Sequence, residues 1–87
     1  MICIFTLKGC PYCEMLKTEL DKINCKYEEI DIEEFEHIWV EIVKYTKDDS
    51  VPTIFIKNYE DEPARIYVAG RDFNSIDEGI DLIKKYF

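Results

Sequence analysis

Apolar residues alternate with polar ones along this chain in two distinct rhythms. Ile2 to Phe5 is a near-continuous apolar run, too short for a helix and of the kind a strand shows when both of its faces are covered. From Cys10 to about Asn24 the apolar positions Met15, Leu16, Leu20 and Ile23 recur at helical spacing, with Glu14, Lys17 and Asp21 on the other side, which predicts a first helix. Lys26 to Ile32 alternates in part, through Tyr27, Ile30 and Ile32, and reads as a second strand. Phe35, Ile38, Trp39, Ile42 and Val43 then mark a second helix, opened by Glu33, Glu34 and Glu36, whose charge suits a helix N-terminus. Polar Lys47 to Ser50 ends it.

Thr53 to Ile56 is a short β-branched and aromatic strand directly after Val51-Pro52. A polar turn containing Asn58, Glu60, Asp61, Glu62 and Pro63 separates it from Arg65 to Val68, so the two runs read as a hairpin closed by Gly70. Ser75 followed by Glu78 has capping-box spacing. Ile76, Ile80, Ile83 and Phe87 then predict a C-terminal helix with Lys84 and Lys85 in its last turn.

The order β-α-β-α-β-β-α carries no repeat, linker or low-complexity segment. It predicts an α/β fold: strand-helix-strand crossovers make parallel neighbours, the hairpin adds an antiparallel one, and helices cover both faces of the sheet. An apolar first strand at the centre would hold Cys10 at its carboxyl end, the edge at which open α/β sheets bind ligands. Residues 1–87 are expected to form one domain.

Cys10-Pro11-Tyr12-Cys13 therefore sits between a buried strand and a helix. The first turn of a helix has N–H groups without intrahelical partners and a partial positive charge that favours an anion. Free cysteine has a pKa of about 8.5, and helix N-termini in two-cysteine redox motifs bring it to roughly 3.5 to 7.5. Pro11 suits the first helical position, where its missing N–H costs nothing. Cys13, one turn along on the same face, is within reach of Cys10. The roles that follow are attack by Cys10 and resolution of the mixed disulfide by Cys13. The competing readings are half a zinc site or a plain disulfide staple; zinc needs four ligands, and the chain has one Cys-x-x-Cys and one histidine, His37.

Composition narrows the partners. A formal net charge of -8 argues against nucleic acid and anionic membranes, which require local positive charge. No apolar run approaches the roughly 20 residues of a membrane helix, and the start MICIFTLK lacks the pattern of a signal peptide. Four cysteines without a secretion signal read as a catalytic pair plus buried residues in a reducing compartment, so a cytoplasmic location is expected. Cys3, inside the first strand, and Cys25, between the first helix and second strand, are expected to be small buried hydrophobes. Trp39 is expected in the core and His37 on the surface. Lys44, Lys47 and Arg71 are candidates for positive charge near the cleft, Arg71 foremost because it adjoins Asp72.

Lys8-Gly9-Cys10-Pro11-Tyr12-Cys13 resembles the active site of dithiol glutaredoxins, Ser50-Val51-Pro52 resembles that family's Thr-Val-Pro segment, and Ala69-Gly70-Arg71-Asp72 resembles its Gly-Gly segment before the last helix. The matches fall in order and span nearly all of the chain. The resemblance implies a thioredoxin-like fold with a central four-stranded mixed sheet flanked by helices. It implies glutathione-linked thiol-disulfide exchange, glutathione as co-substrate and no metal. Disulfide-bonded or glutathionylated proteins are the implied partners, ribonucleotide reductase among them, with the chain acting as a monomer. Cys10 would be the nucleophile and Cys13 the resolving thiol, with Tyr12 lining the glutathione cleft. Val51 would offer its backbone N–H and C=O to glutathione, Pro52 would be the cis-proline, and Lys8, Gly70, Arg71 and Asp72 would contact the ligand, Asp72 meeting its γ-glutamyl amine at a helix N-terminus.

The chain departs from the family's pattern in its charges. Leu7 stands where many members have a lysine, three residues before the first cysteine, with Lys8 one place nearer; Asp48 stands where a basic residue is common, with Lys47 beside it; Ala69 replaces a glycine and Phe73 an acidic residue. Each change removes a contact to glutathione. Two rival readings follow. One is a thioredoxin-like donor recharged by a flavoprotein reductase, against which stands Pro-Tyr in place of the usual Gly-Pro. The other is an iron-sulfur binder using Cys10 and glutathione between two copies, against which stands Cys13 as an alternative partner for Cys10.

Overall fold

In a computed structural model, which describes residues 1–58 and 62–86, the elements are β1 (Ile2–Thr6), α1 (Pro11–Lys22), β2 (Glu28–Asp31), α2 (Glu36–Thr46), β3 (Thr53–Ile56), β4 (Arg65–Val68) and α3 (Ile76–Lys84). Glu60, Asp61 and Phe87, assigned above to the hairpin turn and the last helix, lie outside the described residues. The sheet has four strands in the order β2-β1-β3-β4. β1 runs parallel to β2, with Phe5 opposite Ile30, and antiparallel to β3, with Ile4 opposite Ile54. β3 and β4 form the antiparallel hairpin, Thr53 opposite Val68. This is the predicted α/β architecture, with β1 at the centre and all five of its residues buried.

Alternation along the strands sorts the sheet's two faces. Ile2, Ile4, Ile54 and Ile56 meet Leu16 and Leu20 of α1 and Ile80 and Ile83 of α3, with Phe73 and Cys25 completing the cluster. Residue 5 points the other way. Its ring centroid lies 5.5 Å from that of Trp39 on α2, tilted by 37°, so α2 covers the opposite face. Burying each Leu or Ile fully contributes about 1.5–3 kcal/mol.

Several expected boundaries shift. The first helix ends at Lys22, because Asn24 takes a positive φ of 56°, a left-handed conformation that stops helical hydrogen bonding and that asparagine tolerates. β2 is only Glu28–Asp31 and half-exposed to exposed, as an acidic edge strand can be. Met15, read as part of the apolar face of the first helix, is 51% exposed. The buried stripe is Cys13, Leu16 and Leu20, and at about 100° per residue Met15 points a quarter turn away from Leu16. Phe35 and Ile38 are likewise exposed while Trp39 is buried, because the apolar arc of α2 is wider than the strip of sheet beneath it. Phe35 is the cap residue of α2, and Lys47 ends it in the left-handed conformation with φ 63°. Lys85 is the cap residue of α3 and Lys84 its last basic residue.

Truncation of Leu16, fully buried between α1 and the sheet, should leave a cavity: Leu16→Ala is expected to destabilise the protein by about 2–5 kcal/mol, read as a lower urea midpoint with an unchanged slope. A change below about 1 kcal/mol would show that α1 is not held through this stripe.

Candidate active site

Central β1 ends at Thr6, and after four intervening residues the chain enters α1 at Pro11. The reversal runs through Gly9, whose φ of +82° is open to glycine without steric cost, and it is closed by the Cys10 N–H donating to the Leu7 carbonyl at 3.1 Å. Cys10 is the cap residue in extended conformation, φ -91° and ψ 106°, with Pro11 at the first helical position. The Cys13 backbone N–H donates to the Cys10 sulfur at 3.2 Å. The two cysteines form a disulfide, with Cα atoms 5.3 Å apart. Cys10 is half-buried and Cys13 fully buried, so of the bonded pair only Cys10 keeps part of its surface in solvent.

The only acidic residue in the first turn of α1 is Glu14, and its carboxylate is drawn away by Lys17 at 2.9 Å. Lys17 also binds Glu29 of β2 at 2.8 Å, and the Thr6 hydroxyl donates to the same Glu29 oxygen at 2.9 Å. The Lys17 ammonium holds the Glu29 carboxyl below its usual range, against a smaller opposing effect of burial, and Thr6 lowers it further. Glu29 and Glu14 in turn push the Lys17 ammonium up. These groups, with Leu7, Lys8, Asp31 and Glu34, line a cavity of about 290 Å³.

A second cavity, of about 220 Å³, is lined by Tyr12, Pro52, Ala69, Gly70, Phe73, Asn74, Ser75 and Ile76. It joins the tyrosine between the two cysteines to the Val51-Pro52 segment, whose peptide bond is cis, as the family resemblance implied. Among the described residues neither the N–H nor the C=O of Val51 has a hydrogen-bond partner. The loop before it is pinned by side chains. Thr46 Oγ1 donates to the Ile42 carbonyl at 2.9 Å and accepts from the Asp48 N–H at 3.3 Å; the Ser50 N–H donates to Asp48 Oδ1 at 2.9 Å; and Thr53 Oγ1 donates to the Ser50 carbonyl at 2.8 Å. The Ser50 contact holds the Asp48 carboxyl below its usual range. Thr46, Asp48 and Thr53 were not among the residues expected at the site, although a threonine, an aspartate and a serine between a helix and a proline are the residues that cap and turn loops.

The sequence-derived site residues divide. Tyr12, Pro52 and Gly70 line one cavity, and Cys10 and Cys13, on either side of Tyr12 in the chain, are bonded to each other. Lys8 lines the other cavity, beside four carboxylates. Arg71 reaches back, its guanidinium donating to the Thr46 carbonyl at the end of α2 and to Asp72 Oδ2 at 3.2 and 3.3 Å. Asp72 Oδ2 also accepts the Val68 N–H at 2.7 Å. The expected placement of Asp72 at a helix N-terminus is corrected. The cap of α3 is Ser75, whose hydroxyl accepts from the Glu78 N–H, because the chain runs through the turn at Gly70 and a buried Phe73 before helical hydrogen bonding starts. The returning arm of the capping box goes one residue further than expected, the Glu78 carboxylate accepting the Asn74 N–H at 2.7 Å. Phe73 packs closely against α3: a Cβ on Gly79 would lie 3.2 Å from its ring, which would have to give by a few tenths of an ångström to admit it. Cys3 and Cys25 are buried, and burial pushes both thiols up, Glu28 adding to the effect at Cys3. His37 is exposed and Trp39 buried, as expected. No metal-binding group of three or more such ligands occurs among the described residues, and no described helix is long and apolar enough to cross a membrane.

The family model described as Glutaredoxin matches residues 2–59, from β1 through the Val51-Pro52 segment and β3. The chain belongs to the glutaredoxin family. Glutaredoxin 1 of Rickettsia typhi is 46% identical over 59 residues, covering 66% of this chain and 57% of that protein. Glutaredoxin 1 of Rickettsia prowazekii is 40% identical over 82 residues, covering 90% and 79%. The chain thus spans less than two thirds of the length of the first of these relatives. The thioredoxin-like protein BC3987 superposes over 100% of both chains with a TM-score of 0.70 at 20% identity. Buckwheat glutaredoxin, in a crystal structure of its glutathione complex, covers 97% of this chain with a TM-score of 0.59 at 16% identity. These two likenesses establish the thioredoxin-like fold of this glutaredoxin-family chain.

The lowered Glu29 carboxyl gives a pH dependence with a definite sign. A carboxyl depressed in the folded state adds stability that is fully present above its ordinary pKa, about 4.3 for glutamate, and is lost as pH falls through the lower folded value. The urea midpoints of the native protein and of Glu29→Gln should therefore differ by a constant amount above about pH 6 and converge toward about pH 3. A difference that persists undiminished at the acid end would show that the Lys17–Glu29 pair is not its source.

Proposed function

We propose that this chain catalyses glutathione-dependent thiol-disulfide exchange, reducing disulfide-bonded or glutathionylated proteins through Cys10 and Cys13. The observation that carries the proposal is the placement of the Cys10 sulfur at the N-terminus of α1, accepting the Cys13 N–H and half-open to solvent above the buried Cys13. In the reduced protein that N–H and the unpaired amides of the first turn stabilise the thiolate over the thiol.

The Cys10 thiolate attacks one sulfur of the substrate disulfide, a new S–S bond forms to Cys10, and the other substrate sulfur leaves as a thiolate that takes a proton from water. Cys13 then gives up its proton and attacks the Cys10 sulfur, releasing the second substrate thiol and leaving the Cys10–Cys13 disulfide. Two molecules of glutathione reduce that bond in the same two steps and depart as glutathione disulfide, so the two electrons given to the substrate come from glutathione. No metal takes part. Tyr12, Val51, Pro52 and Gly70 are the residues we assign to the glutathione side of the cleft, Val51 through its unpartnered N–H and C=O. Arg71 and Asp72 act as positioning residues, tying the turn after β4 to the end of α2 and so to the loop that presents Val51. Lys8 attracts the anionic co-substrate from the rim. A cytoplasmic, reducing compartment and monomeric action suit this chemistry, with ribonucleotide reductase among the candidate protein substrates.

One observation favours a second reading, a thioredoxin-like donor recharged by a flavoprotein reductase: the charged residues expected to clamp glutathione are turned to Thr46, Val68 and each other. Recharging the oxidised protein with glutathione and, separately, with a thioredoxin reductase and its nicotinamide reductant separates the two, since fast recharge by the reductase alone would replace the glutathione reading.

Cys10→Ser should abolish turnover in a glutathione-coupled disulfide reduction assay, whereas Cys13→Ser should still take up one glutathionyl group from glutathione disulfide, read by mass spectrometry. In the reduced protein Cys10 should alkylate with iodoacetamide at pH 6 at least about tenfold faster than a free cysteine of pKa about 8.5. Normal turnover by Cys10→Ser, or alkylation no faster than that of the free thiol, would overturn the assignment.

A further inference from the structure

We infer that the stripe of Phe35, Ile38, Ile42 and Tyr45 along α2 is a docking seam for an amphipathic helix of a partner protein, one that carries lysine or arginine beside its own apolar residues. Phe35, Ile38 and Tyr45 are 41%, 37% and 74% exposed, and Ile42 is half-buried. They follow one another at steps of three, four and three residues, so successive members are neighbours on the helix surface. The helical spacing reaches back to Phe35: its N–H donates to the Asp31 carbonyl at 3.0 Å, and its carbonyl accepts from the N–H groups of Ile38 and Trp39 at 3.0 Å each. Apolar residues scattered singly on a surface are ordinary, whereas a contiguous patch marks a site of interaction. Val40 is also exposed but falls on another side of the helix.

The spacing indicates the shape of the partner. Steps of three and four residues average about 3.5, the repeat by which two helices interlock along a seam. One edge of the stripe is closed by the fold itself. Trp39 and Thr46, which follow Ile38 and Tyr45, are buried, Trp39 against Phe5. The other edge is open, because Glu34 and Glu41, which precede Phe35 and Ile42, are both exposed. A helix laid along the stripe meets those two carboxylates along its free edge.

Charge then selects the partner, since residues flanking such a seam decide which helix is accepted. Glu41 has an exposed contact to Lys44 at 3.6 Å, of a kind that contributes little. Glu34 makes no salt bridge among the described residues. No lysine or arginine stands between Lys26 and Lys44, and Glu33 and Glu36 add further negative charge where α2 begins. A second copy of α2 packed antiparallel on the stripe would set Glu34 against Glu41, like charge against like. Packed parallel, it would offer them Trp39 and Thr46, which are buried. A helix with lysine or arginine at those places gains from both carboxylates. With 11 residues in α2, about three turns, the seam suits a transient partner. The inference is independent of the exchange chemistry proposed above, because no sulfur takes part in the binding.

The test uses the full chain and three cysteine-free synthetic helices of equal length. The first has leucine along a seam and lysine beside it, the second has glutamate in place of lysine, and the third has serine in place of leucine. Binding is followed through backbone amide shifts at about 0.15 M salt, where distant surface charges are largely screened. The leucine–lysine helix alone is expected to bind, with shifts concentrated between residues 34 and 46. Ile38→Ser and Tyr45→Ser should each weaken it about tenfold, the loss of one anchor; Tyr45, the most exposed of the four, keeps the test decisive should Ile38→Ser fold poorly. Glu34→Lys combined with Glu41→Lys should reverse the preference, so that the leucine–glutamate helix binds better than the leucine–lysine one. Equal binding of the serine–lysine helix, shifts centred outside α2, or a preference unchanged in the double variant would each overturn the inference.

Discussion

The structure turns on the junction between a buried strand and a helix that starts after only four intervening residues. All five residues of β1 are buried at the centre of the sheet, so the end of β1 has no freedom of register: a slip by one residue would turn Ile2 and Ile4 out of one core and Phe5 out of the other. Gly9 bends the chain with a positive φ, Pro11 starts the helix, and Cys10 is left as the cap. Its sulfur does what a serine or aspartate oxygen does at other helix starts, accepting an N–H of the first turn. A sulfur so placed is stabilised more as an anion than as a thiol, because the hydrogen bond and the end of the helix both act on charge.

The second half of the site is held by polar side chains rather than by burial. Val51 and Pro52 follow a helix that ends in a left-handed residue, and the turn between them keeps its shape because Thr46, Asp48, Ser50 and Thr53 hydrogen-bond one another's backbones and Arg71 ties the helix end to the turn after β4. Each such bond contributes only about 0.5–1.5 kcal/mol. Together they fix the Val51 backbone, whose N–H and C=O have no partner among the described residues, and a segment so fixed would spare the proposed binding the entropic cost that a flexible loop carries.

Most of the fold was legible in the sequence because its signals were local. The β3 and β4 spans came out with their exact ends, bounded by Pro52, Gly70 and polar residues, and the order of elements led to the mixed sheet through the handedness and parallel pairing of crossovers. The redox pair was legible from Cys-x-x-Cys between an apolar run and a helical pattern. What failed was tertiary: periodicity places Met15, Phe35 and Ile38 near an apolar face but cannot say how wide a strip the neighbouring layer covers. The contacts of Arg71 and Asp72 within the fold were hidden for a related reason. A charge near a motif in sequence looks available to a ligand, yet Arg71 and Asp72 found partners in Thr46, Val68 and each other, contacts between segments up to 25 residues apart.

Charge and shape at the site then pull in different directions, and their division of labour bears on substrate choice. The ion cluster of Glu14, Lys17 and Glu29 lies on one side of the β1–α1 loop, in a cavity that Lys8, Asp31 and Glu34 also line. The Tyr12–Pro52–Phe73 side is left uncharged. In the exchange proposed above, a ligand approaching Cys10 would meet an acidic surface at long range and an uncharged one at Tyr12, Pro52 and Phe73. The first lowers encounter rates for anions in a salt-dependent way; the second contributes only once water is displaced. In that exchange, discrimination among disulfides would arise at contact, from what flanks the sulfur under attack, while the helix terminus at Cys10 would treat all of them alike.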